Sequence, residues 1–230
     1  MRDNSKTNAS MLQRVPLFAG LTDDNLRSIV KECQSRIYAQ HAIVVRQGEP
    51  ADALHVLLAG RAKALIVHPD GREITLAVIR AGEFFGEMGL VDGAPRAATV
   101  QALEPCRTLR LPRRIFDRLL RSNFGLAMNV VRGLVSRLRT ADRSIESLAL
   151  MDVYGRVARL LLDQAEPAPQ LSMEMVVLSQ QDISRMVGAS REMVGRILRD
   201  LQQRGHIRMA RGRIFIEDCM IREMRPQARH

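Results

Sequence analysis

The sequence has no run approaching the ~18 to 20 uninterrupted apolar residues of a membrane span, and its first ten residues, MRDNSKTNAS, lack the apolar core of a secretion signal. The expected location is the cytoplasm, with no membrane partner. Cysteine is scarce: Cys33, Cys106 and Cys219 are the three present, far apart and without CxxC or Cys/His spacing. That excludes a disulfide framework and a zinc site, and reads them as reduced thiols. The five histidines (His41, His55, His68, His206 and His230) are equally dispersed, so no metal is expected. There is no nucleophile-base pair and no P-loop, which argues against an enzyme. Acid is short relative to base, 25 Asp+Glu against 35 Lys+Arg, giving a formal charge of +10, almost all of the excess being arginine. A polyanion is the natural partner, through release of counterions from phosphates.

What is present supports two domains. With 46% hydrophobic residues in 230, each has material for a core. Residues 1–10 are polar and aperiodic and read as a disordered tail. TDDNLRSIVKEC, from Thr22, has an Asp-rich start and apolar Leu26, Ile29, Val30 and Cys33 at helical spacing. Between Ile37 and Leu111 come short runs rich in Val, Ile and Leu (AIVVRQG, LHVLLAG, AKALIVH, ITLAVI, AATVQAL, CRTLRL), separated by turn signals. That spacing predicts an antiparallel barrel or sandwich. From Ala127 the positions Ala127, Val131, Leu134, Leu138, Ala141, Ile145 and Leu148 advance by alternating steps of four and three, a heptad seam that predicts a symmetric dimer. After Asp152 a helix leads to the loop-like QAEPAPQ, two more helical segments and GHIRMARGRIFIED, which reads as a two-stranded hairpin turning at Gly212.

Two stretches carry chemistry. In FGEMGLVDGAPRAATV, Phe85 to Val100, Gly86 and Gly89 let backbone approach a ligand closely, Arg96 supplies a fork for two phosphate oxygens, and Glu87 accepts from hydroxyls. That set suits a sugar phosphate with a free hydroxyl. In LSQQDISRMVGASREMVGRILRDLQQRGHI, Ser179 caps a first helix, Gly188 makes the turn and Ser190 caps a second. Ile183, Met186, Val187, Val194, Ile197 and Leu198 lock the pair together. Arg191, Glu192 and Arg196 face outward with groups suited to guanine O6/N7 and cytosine N4. Arg204, His206, Arg208, Arg211 and Arg213 precede any acid until Glu217 and can track a phosphate backbone.

The first stretch resembles the phosphate-binding cassette of cyclic-nucleotide-binding domains, shared by bacterial Crp/Fnr regulators and protein kinase A regulatory subunits. GASREMVGRIL resembles the recognition helix of the same Crp/Fnr family. The resemblance covers about residues 15–220 in the family's order. It implies an α+β fold with an N-terminal cyclic-nucleotide-binding β-barrel of jelly-roll type (residues 11–122), a long dimerisation helix (123–150) and a C-terminal winged helix-turn-helix (151–230). It also implies nucleotide contacts from Gly86, Glu87 (ribose 2′-hydroxyl), Met88, Arg96 (cyclic phosphate), Ala97, Arg137, Ala141 and Asp142. DNA contacts are implied for Ser179, Gln180, Ser190, Arg191, Glu192, Arg196 and Arg211, reading a TGTGA-like half-site repeated as an inverted palindrome, with RNA polymerase as a further partner. The family's cAMP-binding members place a Thr-Ser pair against adenine where this chain has Ala141 and Asp142. Ala97 resembles the alanine of cAMP-selective kinase domains, whereas a carboxylate at 142 can accept from guanine N1 and N2. cAMP is therefore the first expected ligand and cGMP the second, with cyclic di-GMP as an alternative. The clustered cysteines of the iron-sulfur sensors are missing and nothing supports haem. The competing class is a nucleotide-binding regulatory subunit acting on a protein partner, against which the arginine-rich hairpin speaks.

Overall fold

In the computed structural model, which describes residues 10–168, 173–210 and 212–224, the chain divides into two units, Met1–Arg139 and Thr140–His230. The first unit is built from eight strands and the helices that cover one side of them. Helix α1 (Asp23–Glu32) starts at Thr22, whose side chain accepts from Asn25 N, and two acids in its first turn favourably meet the positive end of the helix dipole. Its buried residues are the sequence-predicted Leu26, Ile29 and Val30.

Strands β1 (Gln34–Tyr38), β2 (Ile43–Val45), β3 (Ala53–Ala59), β4 (Arg61–Val67), β5 (Glu73–Arg80), β6 (Phe84–Phe85), β7 (Thr99–Ala102) and β8 (Cys106–Pro112) form two antiparallel sheets. Their orders are β1-β8-β3-β6 and β2-β7-β4-β5, the pattern of a jelly roll. Leu57, Phe85 and Cys106 of one sheet pack against Val45, Ala62, Ile79, Val100 and Ala102 of the other and fill the roll. On the opposite face of the first sheet, Leu54, Val56, Leu58, Leu109 and Leu111 meet the helices α1, α3 (Arg113–Ser122) and α4 (Phe124–Leu150) through Leu26, Ile29, Ile115, Phe116, Leu126 and Val130. Strand β3 is thus covered on both faces, which is why ALHVLLA is nearly continuous in apolar residues instead of alternating. Between β6 and β7 lies the short helix α2 (Met88–Val91).

Helix α4 is 27 residues long, about 40 Å at 1.5 Å per residue. It buries Leu126 and Val130 and leaves Val131, Leu138, Ile145 and Leu148 exposed, Leu138 at 62% and Ile145 at 65%. One seam residue departs from the heptad reading: Leu134 packs against the core of its own unit, so that turn of the helix serves the roll. Val135, outside the seam as read, is exposed beside it.

In the second unit, α5 (Val153–Gln164) is capped by Asp152, which accepts from Gly155 N at 2.8 Å. Helices α6 (Gln180–Val187) and α7 (Arg191–Gln203) follow, then a last helix α8 (Asp218–Met224). The predicted hairpin, β11 (Ile207–Ala210) and β12 (Arg213–Ile216), is half of a four-stranded sheet with β9 (Glu166–Ala168) and β10 (Met173–Val176), in the order β11-β12-β10-β9. The segment read as a loop, QAEPAPQ, carries β9, paired with β10. Pro167 hid that strand from the sequence, yet β9 is an edge strand, where a missing N–H costs no ladder bond. The last residues of α4 belong to this unit: Glu146 pairs with Arg159 at 3.5 Å, and Leu148 approaches Gly188. Of the tail read as residues 1–10, residues 1–9 lie outside the described residues, as does Arg211, and Ser10 is helical.

Candidate functional site

In the first unit the cassette is organised by its glycines. Gly86 has φ +83°, and a Cβ on it would lie 2.2 Å from Arg96 Nη1. At Gly89 a Cβ would meet Ala94 O at 2.4 Å and Ala51 Cβ at 2.7 Å. A side chain is therefore strained by conformation at 86 and excluded by space at 89. Arg96 is seated in the gap, its side chain 4% exposed. Nη1 donates to Gly86 O at 2.8 Å, and Nη2 donates to Ala53 O at 2.7 Å and to Asp52 Oδ1 at 3.2 Å. Three of the five guanidinium N–H groups are thus taken, leaving Nε–H and one N–H of Nη1 without a partner among the described residues. Part of the guanidinium is thus engaged by the protein itself, because a group this buried must satisfy donors locally.

Glu87 is fully buried. Arg137 of α4 donates from Nη1 to Glu87 Oε1 and from Nη2 to Phe84 O, and its guanidinium lies over the Phe84 ring, 5.1 Å from the centroid. The ring's approach to α4 depends on Gly133, where a Cβ would sit 2.6 Å from Phe84 Cζ. The other Glu87 oxygen, Oε2, is buried with no partner among the described residues. An acceptor held dry and unused is costly unless a ligand hydroxyl completes it, so these residues fit a ribose phosphate. Of the other residues predicted for the nucleotide, Met88 is exposed at the start of α2 and Ala97, which follows Arg96, is exposed as well. Ala141 and Asp142 are exposed on the part of α4 that belongs to the second unit.

Four residues of this site were not singled out in the sequence. Asp52 is shared by Arg96 and Arg110, each guanidinium taking one carboxylate oxygen. Burial alone would raise the Asp52 carboxyl, but the hydrogen bond and charge of Arg110, with the charge of Arg96, outweigh it and hold it below the usual value. His55 is buried, stacks on Phe85 at 5.1 Å and is pushed down to about 4 by burial, with Arg96 and Arg110 adding to it. Arg113 spans three carbonyls, Ala51 at 3.1 Å, Leu90 at 3.2 Å and Gly89 at 2.7 Å, and ties the cassette to the start of α3.

In the second unit both caps form as the sequence predicts. Ser179 and Asp182 make a reciprocal capping box, and Ser190 Oγ accepts from Met193 N at 3.2 Å. Gly188 ends α6 with φ +64°. Ile183, Val187, Val194, Ile197 and Leu198 are buried where the helices meet. That leaves Arg191, Glu192 and Arg196 exposed on the opposite side of α7, with no ion pair among the described residues. Ser179 and Gln180 line, with Met209, Gly212 and Arg213 of the hairpin, a cleft of about 260 Å³.

The hairpin's basic residues are less available than their sequence run implies. Arg204 pairs with Asp200 at 2.8 Å, and His206 is buried and meets Glu223 at 3.0 Å. Arg208 stacks on Phe215 at 4.7 Å and lies 3.8 Å from Glu217. Arg213 stays exposed.

A buried arginine and glutamate on a glycine-lined turn, and a capped helix pair presenting arginine, are two unrelated devices in one chain. The cyclic nucleotide-binding domain family matches residues 35–123, and the Crp-like helix-turn-helix domain family matches residues 155–220. The cAMP-activated global transcriptional regulator CRP of Pasteurella multocida is 32% identical over 198 residues, 84% of this chain and 94% of that protein. This chain is a transcription regulator of the Crp/Fnr family. The cAMP-activated regulator Vfr of Pseudomonas aeruginosa is 31% identical over 188 residues, 79% of this chain and 88% of that one. Among solved structures, the c-di-GMP responsive global regulator CLP of Xanthomonas campestris has a TM-score of 0.68 at 27% identity, covering 81% of this chain and 94% of its own. FixK2 of Bradyrhizobium japonicum, at 20% identity and a TM-score of 0.75, shares the fold, with 86% of this chain and 99% of its own covered. As a Crp-family regulator the chain is a DNA-binding protein with a cyclic-nucleotide-binding domain, and its relatives are regulators rather than enzymes. No described helix is long and apolar enough to cross a membrane.

Proposed function

We propose that this regulator is a cytoplasmic dimer switched by a cyclic nucleotide, cAMP first and cGMP second, and that it reads a palindrome of TGTGA-like half-sites and contacts RNA polymerase. The carrying observation is the pairing of a seated guanidinium that still has free donors with a buried, unpartnered oxygen of Glu87 close by in sequence. When bound, the nucleotide supplies an anion and a hydroxyl. Arg96 holds the phosphate, Glu87 accepts from the ribose hydroxyl, and Arg137 holds the Glu87 carboxylate in place.

The charge of the site favours a ligand with one phosphodiester. Arg96, Arg110 and Arg137 face Asp52 and Glu87, a net of one positive charge. Exposed Leu138, Ile145 and Leu148 on α4 support the dimer. Exposed Arg191, Glu192 and Arg196 support direct base reading, and exposed Arg213 supports a hairpin phosphate contact beside the Arg211 expected from the sequence. A second reading, cyclic di-GMP, is favoured by the likeness to CLP.

Calorimetry on nucleotide-stripped protein with cAMP, cGMP and cyclic di-GMP separates them. cAMP should bind tightest, and Arg96→Ala should lose about 100-fold or more, two charged hydrogen bonds, while remaining a folded dimer. Unchanged affinity in that variant contradicts the assignment.

A further inference from the structure

One carboxylate in the first unit serves two arginines. Asp52 lies at the end of the loop before β3 with its side chain 64% exposed, and its carboxylate is shared by the side chains of Arg96 and Arg110. Arg96 has one oxygen at 3.2 Å and Arg110 has the other. Neither makes the two-bond fork that a guanidinium and a carboxylate form when alone together. Arg110 is well placed to enforce this. It sits on β8, paired with Gln34 of β1 on one side and His55 of β3 on the other, so its backbone is fixed from both sides. His55 is itself stacked on Phe85, the residue before Gly86, whose carbonyl holds Arg96.

We propose that Arg110 is a positioning residue for nucleotide binding: by occupying one oxygen of Asp52 it confines Asp52 to a single contact with Arg96, and so keeps the remaining Arg96 donors open for the ligand phosphate. Asp52 is an anion standing beside the cation that must bind an anion. With Arg110 removed, no other described residue holds its second oxygen, and the paired geometry with Arg96 becomes available. The phosphate must then displace a carboxylate that grips with both oxygens instead of one. The inference rests on the reading of Arg96 as the phosphate contact.

The test is calorimetry with cAMP on the full-length, nucleotide-stripped protein, for Arg110→Gln, Asp52→Asn and the double variant. Arg110→Gln should bind about tenfold more weakly, the size of one charge-assisted hydrogen bond. Asp52→Asn should rescue it, the double variant binding within about threefold of Asp52→Asn alone. A purely structural role for Arg110 lowers affinity equally in both backgrounds and gives no rescue, and that result, or wild-type affinity in folded Arg110→Gln, overturns the proposal. If Arg110→Gln has no melting transition, Arg110→Lys takes its place: it keeps a cation on the oxygen and should stay within about threefold of wild type, a tenfold loss counting against the proposal. A wild-type protein that binds none of the three nucleotides refutes the nucleotide reading instead. The sharing of Asp52 is then read by carbon NMR of its carboxyl. In Arg110→Gln the carboxyl should still titrate below the ordinary value of about 3.9, because Arg96 closes on it, and a return to that value overturns the proposal.

Discussion

Gly86→Ala probes the seat of Arg96 most directly. The residue has φ +83°, where an L side chain costs about 1 to 2 kcal/mol. The new Cβ would also lie 2.2 Å from Arg96 Nη1, so one of the two must move. The guanidinium end is the flexible member, and moving it breaks the 2.8 Å bond to Gly86 O. A hydrogen bond from a charged group is worth about 1.5 to 3 kcal/mol. The variant should therefore lose about 1 to 2 kcal/mol of unfolding stability from strain, and bind cAMP about 10- to 100-fold more weakly as the phosphate contact is displaced. Urea unfolding reads the first quantity and calorimetry the second. Wild-type cAMP affinity in a strained but folded Gly86→Ala would refute the reasoning, because the phosphate would then be held somewhere that does not depend on Arg96.

His55 stays neutral in the fold because burial, with Arg96 and Arg110 adding, lowers it from 6.5 to about 4. The unfolded chain takes the proton first, so stability is unaffected above about pH 6.5 and falls by about 3 kcal/mol as pH drops from there to 4. His55→Phe, which keeps the stack on Phe85, should lose about 2 kcal/mol less than wild type between pH 7 and pH 4.5 in urea titrations, and equal losses would contradict the burial argument. Leu138→Asp should raise the dimer dissociation constant by about 100-fold or more in sedimentation while leaving each chain folded, since Leu138 is exposed in the single chain; a dimer of unchanged strength would place the interface elsewhere. Arg208→Ala should cost about 0.5 to 1 kcal/mol of stability with little effect on DNA, because the side chain is engaged with Phe215. Arg213→Ala should weaken all duplexes alike and lower the salt slope by about one; the reverse pattern in anisotropy titrations would make Arg208 a phosphate contact instead.

The jelly roll, the long helix and the capped helix pair were legible because each is written locally. Alternating apolar runs give strands, steps of three and four give α4, and Ser179, Gly188 and Ser190 mark the ends of α6 and the start of α7. Residues of the site that lie on one continuous string, Gly86, Glu87 and Arg96, were legible for the same reason. Asp52, His55 and Arg110 were not, since what joins them is the register of β3 against β8, in which His55 faces Arg110 across 55 residues of chain. Nothing local reports such a pairing. Arg208 misled in the opposite sense: a run of arginines signals a phosphate track, but the cross-strand Phe215 that captures one of them becomes visible only once β11 and β12 are paired. Strand β9 was missed because Pro167 reads as a breaker wherever the sequence cannot say which strand lies at an edge.

A cyclic nucleotide held by Arg96 should change how tightly this chain grips DNA. Fluorescence anisotropy with a duplex carrying two inverted TGTGA half-sites about one helical turn apart, at fixed salt, with and without cAMP, tests it on wild type and Arg96→Ala together. Wild type should bind about tenfold or more tightly with cAMP, an ordinary coupling energy, and Arg96→Ala should show no response. Binding to the duplex that cAMP, cGMP and cyclic di-GMP all leave unchanged in the wild-type protein would contradict the account.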